Sequence, residues 1–251
     1  MSLLESPAMQ AMAGIRNITI KEKVQPLEAA TALLGMEIEM PNKYAILDSD
    51  EKDKQVFYAT EETECLPMQC TKLSIIHVLH TDSDQPYEAF RMENPSSCPC
   101  LCFNRPETSV VDARSGDPLG SITDPCTCLS MKFAIKGPDG EEVGYADGGS
   151  CQWGMCCQLP CGPCSVVEFD LQDADSKSVG KLTKKVPGCL KFLFAPDVDN
   201  YHVKMEGVED VRLKALFMSL ALFMDVRYFS DNKNDDGASR ALPWSEGTKY
   251  S

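Results

Sequence analysis

Ten consecutive residues near the C-terminus, Ala215 to Met224, read ALFMSLALFM and leave a helix apolar on every side apart from Ser219. A helix without a polar face has to be covered by something. A bilayer is one candidate cover. Ten residues rising ~1.5 Å each reach only about 15 Å, against a hydrocarbon core about 30 Å thick. Lengthening the span brings in Arg212, Lys214, Asp225 or Arg227, and a charge is costly at the bilayer centre. The stretch 211–229 is therefore expected to be a buried core helix, and the rest of the chain has to supply its cover.

The rest of the chain supplies strands. From about residue 36 to residue 205, short alternating or β-rich runs are separated by Gly, Pro, Asn and Asp. They include KYAILDS, KQVFYAT, LSIIHVLH, TSVVDAR, PLGSIT, MKFAIKGPDGEEVGYADG and SVVEFDL. In the last, Val167, Phe169 and Leu171 share one face, and Glu168 and Asp170 the other. GPDG at 137–140 reads as a hairpin turn. His77 and His80, three apart on one run, are expected on opposite faces. No fixed-period repeat and no interdomain linker is visible. The expectation is one mostly-β domain, a barrel or sandwich, over residues 25–230. Residues 1–24 read as a loose N-terminal arm, PLEAATALLG (26–35) as a short helix between Pro26 and Gly35, and 231–251 as a polar tail.

The formal net charge of −14 disfavours general nucleic-acid binding and any polybasic attraction to anionic lipid. The first residues hold Glu5 and Pro7 and no basic region before an apolar run, so no signal peptide is read there. Ser2 excludes the N-myristoylation motif. Without secretion, the thirteen cysteines are expected to be reduced rather than disulfide-bonded.

Three readings of those cysteines stay open. Zinc prefers paired CxxC knuckles, and only Cys161 and Cys164 form one; Cys98, Cys100, Cys102 and the pair Cys126, Cys128 are spaced CxC. Buried thiols behaving as small hydrophobes account for Cys65, Cys70 and Cys189. A cluster among Ser96, Ser97, Pro99 and Pro106 reads as an exposed loop, which suits S-acylation at Cys98, Cys100 and Cys102. Cys156, Cys157, Cys161 and Cys164 are further candidates for acylation or zinc.

Two other stretches carry candidate chemistry. DVDNYHVKMEGVED (197–210) resembles a calcium loop, with Asp197 and Asp199 at positions 1 and 3. His202 stands where the turn glycine belongs and Val208 where the bidentate carboxylate belongs, so an acidic solvated turn is the competing reading. GKLTKKVPG (180–188), with Lys181, Lys184 and Lys185, reads as a solvated turn, with a weak nuclear-import patch as the alternative. Three histidines and the lack of G-x-S-x-G, P-loop and H-E-x-x-H patterns leave little material for bond-making catalysis.

Taken in order, NKYAILDS through QVFYATEETEC (42–65), the cysteines at 98–102, DVDNYHV and RLKALFMSLALFMDVRYF resemble the phospholipid scramblase family over about residues 24–230. The resemblance implies a closed tubby-like β-barrel of about twelve antiparallel strands around the C-terminal helix. It implies calcium-dependent, ATP-independent, bidirectional movement of phospholipids between leaflets, which is translocation rather than bond-making. It implies palmitate on Cys98, Cys100 and Cys102, and calcium on Asp197, Asp199, Tyr201, Val203, Met205 and Val208. Attachment to the cytosolic face of a membrane, the plasma membrane first, follows, with membrane phospholipids, protein partners and a second copy of the chain as partners. The chain departs from the family at Val208, in a thinner cluster at 98–102, in a richer one at 151–164, and in lacking a Pro-rich N-terminal extension. The alternative on the same fold is a non-catalytic, palmitoyl-anchored adaptor; a zinc-stabilised β domain is a third reading.

Overall fold

A computed structural model describes residues 6–23, 42–65, 72–81, 85–95, 107–123, 131–149, 166–185 and 197–229. Twelve antiparallel strands close into a barrel in strict chain order, β12 returning to pair with β1. They are β1 (Asn17–Lys23), β2 (Lys43–Asp48), β3 (Lys54–Cys65), β4 (Lys72–His80), β5 (Tyr87–Pro95) and β6 (Glu107–Asp112), followed by β7 (Pro118–Thr123), β8 (Lys132–Lys136), β9 (Glu142–Asp147), β10 (Val166–Asp173), β11 (Ser178–Lys185) and β12 (Asp197–Lys204). Helix α1 (Pro7–Gly14) precedes them, and α2 (Val211–Met224) follows, ending in a π-helical turn, Asp225–Phe229.

The alternation read from the sequence decides which side chains face inward. Val167, Phe169 and Leu171 are buried as expected, alongside Ile20, Ile46, Phe57, Phe90 and Phe133 from other strands. His80 is buried and His77 half-buried, again on opposite faces. The GPDG turn joins β8 to β9, with Gly140 N–H donating to Gly137 O at 3.0 Å. All five hairpins closed by short turns, from β2–β3 to β10–β11, carry a register shift beside the turn. Such shifts strengthen local twist and help a sheet to curl.

Helix α2 occupies the interior. Its residues from Leu213 to Met224 are all buried, so the barrel is the cover that the apolar stretch requires. At ~1.5 Å per residue its fourteen residues span about 21 Å. Glycines let the wall approach it. Gly120 has φ +154°, and a Cβ there would fall 2.2 Å from Lys136 O and 2.9 Å from Leu216 Cδ1. Membrane-spanning barrels turn an apolar band outward. Here the apolar faces turn inward, and among the described residues Val166 is the one exposed large hydrophobic. No described helix is long and apolar enough to cross a membrane.

The N-terminal arm is a correction. Within residues 1–24, β1 is an integral strand paired on both sides, and α1 is packed rather than loose, with Met9 and Met12 buried. The signals were local: Ser6 caps α1 by accepting from Met9 N–H at 3.2 Å, Pro7 opens it and Gly14 ends it. Its burial comes from the barrel mouth, where Tyr87 Oη accepts from Ala8 N–H at 3.0 Å. Lys214 in the first turn of α2 donates to Ala13 O and Ile15 O at 2.9 and 2.8 Å. The expected helix at 26–35 and the tail at 231–251 lie outside the described residues. Met12→Ala is expected to cost about 2–4 kcal/mol, the range for truncating a fully buried side chain. Urea unfolding measures it; a loose arm would give no change.

Candidate functional site

The barrel wall places one charged cluster deep inside. Leu182 and Lys184 share the inward face of β11, so Lys184 projects among apolar side chains. Its Nζ donates to Asp225 Oδ1 at 2.6 Å and to Tyr201 Oη at 3.0 Å. Tyr201 Oη donates to the same Asp225 oxygen at 3.0 Å, and Tyr44 Oη donates to Asp225 Oδ2 at 2.8 Å. The ammonium also lies 4.5 Å from the centre of the Tyr201 ring. Strands β2, β11 and β12 thus meet on one carboxylate, at the point where α2 changes to the π-helical turn. Buried charge is tolerable only when paired and hydrogen-bonded, and both conditions are met here. Burial pushes the Tyr44 and Tyr201 phenols well above their ordinary range, and the Asp225 charge adds to the push.

The other end of α2 is fixed by Lys214 on the carbonyls that end α1. Burial lowers the Lys214 pKa, and the nearby Arg16 charge lowers it further. Both ends of the apolar helix are therefore tied by lysine chemistry, one to a carboxylate and one to backbone oxygens. Outside the barrel, beside β1 and β12, a dent of ≈ 260 Å³ is lined by polar side chains including Asn17, Ser49, Asp50, His202 and Lys204.

Lys184 corrects the reading of GKLTKKVPG as a solvated turn. Lys181 and Lys185 are exposed, but the segment is strand β11 and its middle lysine is internal. The period-two pairing of Leu182 with Lys184 was the available signal.

DVDNYHVK is likewise a strand, not a loop. At ~3.3 Å per residue it runs about 23 Å along the wall from Asp197 to Lys204. Tyr201, Val203, Met205 and Val208 are buried in the core. The side chains of Asp197 and Asp199 lie outside the described residues, but their backbone places them at the opposite end of the strand from Met205 and Val208. The structure does not bring these six positions together around one ion. Cys98, Cys100, Cys102, Cys156, Cys157, Cys161 and Cys164 lie outside the described residues. Among the described residues no group of three or more His, Cys, Asp or Glu side chains is arranged to hold a metal.

A protein-family comparison matches the scramblase model over residues 2–231. The chain belongs to the scramblase family. Mouse phospholipid scramblase 1 is 26% identical over 237 residues, covering 94% of this chain and 67% of that protein. Bovine phospholipid scramblase 2 is 26% identical over 231 residues, covering 91% and 73%, and human phospholipid scramblase 1 is 26% identical over 237, covering 93% and 69%. No solved structure matches the chain. The match begins at residue 2, which agrees with α1 and β1 being part of the domain.

Breaking the internal pair from one side leaves an uncompensated buried charge. Asp225→Asn and Lys184→Met are each expected to cost about 3–5 kcal/mol, and Lys184→Met with Asp225→Leu together to recover most of it. Denaturant unfolding of the four proteins measures this as a double-mutant cycle. The pH dependence has a definite sign. Phenols whose folded pKa lies above the unfolded value stabilise fully below about pH 10, and that contribution is lost as the pH climbs through the folded value. Phenolate absorbance is expected to show Tyr44 and Tyr201 ionising only together with alkaline unfolding.

Proposed function

We propose that this chain moves phospholipids between the leaflets of a membrane, in both directions and without ATP, with calcium as activator. Membership of the scramblase family over residues 2–231 carries the reading, supported by phospholipid scramblases aligned along nearly the whole chain. The proposal places the protein on the cytosolic face of the plasma membrane, held by palmitate on Cys98, Cys100 and Cys102. One acyl chain gives marginal attachment, with K of about 10⁴ M⁻¹, and two or more give stable anchoring. Cys156, Cys157, Cys161 and Cys164 are candidates for further acylation or zinc.

Moving a headgroup breaks no bond; it needs a polar route past an apolar layer. The described interior is filled by α2, so the route runs along the outside of the barrel, between copies of the chain, or through a state in which α2 has left. Calcium dependence rests on the likeness of the segment beginning at Asp197 to the family's calcium segment. Because that segment is an extended strand, no step is assigned to an ion there.

The packed interior also favours a second reading, a palmitoyl-anchored adaptor that binds protein partners and moves no lipid. Reconstitution into liposomes carrying a fluorescent phospholipid separates the two. The scramblase reading expects the dithionite-accessible fraction of the probe to rise on adding calcium without ATP. An unchanged fraction, with the protein bound to the vesicles, favours the adaptor.

A further inference from the structure

The inward face of the barrel changes character at one mouth. Around α2 it is apolar, but where β1, β3 and β5 end and β2, β4 and β6 begin it turns polar. Strand register and period-two alternation identify the side chains on that face. Glu22 stands opposite the buried Tyr44, and Glu61 opposite Ile76, a core residue. Ser74 and Asn94 stand opposite each other, two residues before Ile76 and two after Met92, both fully buried. One step past the Glu93–Ser109 pair, Asn94 adjoins Thr108, which pairs with the core residue Ile122.

Glu61 is the centre of this row. It is half-buried, and Ser74 Oγ donates to its Oε1 and Asn42 Nδ2 to its Oε2, each at 2.7 Å. Both donors are neutral, and among the described residues no lysine or arginine pairs with this carboxylate. Its charge is felt on the neighbouring strand. The Tyr44 phenol, raised first by burial and then by Asp225, is pushed further by Glu22 and Glu61. Asp225 has Lys184 as its counter-charge. Glu61 is instead an anion held rigidly in the mouth by neutral groups, a costly arrangement without a cation.

Two neighbours have no partner at all. Asn94 Oδ1 and Nδ2 and Thr108 Oγ1 are buried without a hydrogen bond, and Thr108 is 0% exposed. Directly opposite side chains in a sheet lie about 5 Å apart at Cβ. The orphaned groups therefore follow directly on Ser74, which holds Glu61. Buried polar groups are nearly always bonded, and such exceptions call for a missing partner.

The set suits an ammonium rather than a metal ion. Calcium gathers about six to eight oxygens around one point, whereas successive strands here space the groups ~4.8 Å apart. A primary ammonium brings three N–H donors and no acceptor. Glu61, Asn94 Oδ1 and Thr108 Oγ1 are three acceptors for them. A quaternary ammonium has no N–H to offer Asn94 or Thr108. A serine headgroup sets a carboxylate beside its amine, which Glu61 and Glu22 repel.

We propose that this mouth docks the primary ammonium of an ethanolamine phospholipid headgroup, with Glu61 as counter-ion and Asn94 and Thr108 as neutral acceptors. The inference rests on the phospholipid reading above and names the headgroup which that reading leaves open. The amine enters to the depth of Glu61, and α2 closes the way further in. The site thus selects a lipid without conducting it.

The test is solution binding by the full, reduced chain, followed by ligand NMR with soluble headgroups that carry no acyl chains. Glycerophosphoethanolamine is expected to bind about tenfold more tightly than glycerophosphocholine or glycerophosphoserine, the scale of losing a hydrogen bond to a charged group. Glu61→Gln keeps the shape, loses the charge, and is expected to weaken binding by a similar factor. Thr108→Val replaces an unbonded buried hydroxyl with a methyl group. It is expected to melt no lower than the parent and still to bind more weakly, whereas a merely structural Thr108 would leave binding unchanged. Equal affinity for the choline compound, undiminished binding in both variants, or no binding by the folded parent overturns the site. Calcium that binds through Glu61 while no headgroup does makes this a metal site and overturns it as well. Lipid movement is read separately in liposomes. A probe fraction that fails to rise there while headgroup binding persists removes the translocation reading and leaves the docking site standing.

Discussion

Helix α2 offers water no polar side from Ala215 to Met224 apart from Ser219, and the sheet exists in the shape that covers it. Apolar inward faces from all round the barrel converge on the helix, and Gly120 omits a side chain that would run into Leu216. A flat or open sheet would leave part of the helix wet, at roughly 25 cal/mol for each Å² of apolar surface uncovered. Closure also removes the free edges that an open sheet would present. The helix and the ring are therefore one hydrophobic solution, and neither is expected to persist without the other.

Polar chemistry is confined to the two ends of that helix. Lys214 finishes the last carbonyls of α1, and Asp225 collects Lys184, Tyr201 and Tyr44 from three strands. An apolar core fixes composition and volume, but packing alone tolerates small slips of a helix along its axis. A carboxylate that must meet three donors tolerates much less, because a slip leaves a charge buried without its partners. The cluster accordingly fixes how deep α2 sits. It also makes departure of the helix from the barrel expensive, which counts against any lipid route that begins by emptying the interior.

The strand alternation was legible because it is local. Val167, Phe169 and Leu171, the opposed His77 and His80, and the GPDG turn each depend on neighbours a few residues away. The length argument for α2 held for the same reason. The misread elements depend on partners far along the chain. Residues 7–23 resemble a loose arm until β1 is paired with β12, about 180 positions away. Lys184 is one of three lysines in a polar stretch until Asp225 is brought inside. The DVDNYHV segment has calcium-loop composition, but its backbone pairs with β1 from Asp197 onward and with β11 from Tyr201 onward, and that pairing holds it extended. The same distance hid a recurrent device. Asp48, Asp112 and Asp173 end β2, β6 and β10, and the turn that follows donates one backbone N–H to Asp48 and two each to Asp112 and Asp173. With sixty or more residues between them, no short-range pattern links the three.

Strict up-and-down order has a further consequence for where this family can vary. In a closed antiparallel barrel every odd-numbered connection leaves one rim and every even-numbered connection the other. Each even connection here has a register shift beside it, and three are also held by an aspartate side chain, so a lengthened turn there would disturb the register that keeps apolar faces inward. Odd connections carry no such duty, since the strands they join are already held in register from the far end. Length can therefore be added to the odd connections at little cost to the core, because the register of the strands they join is set from the opposite rim.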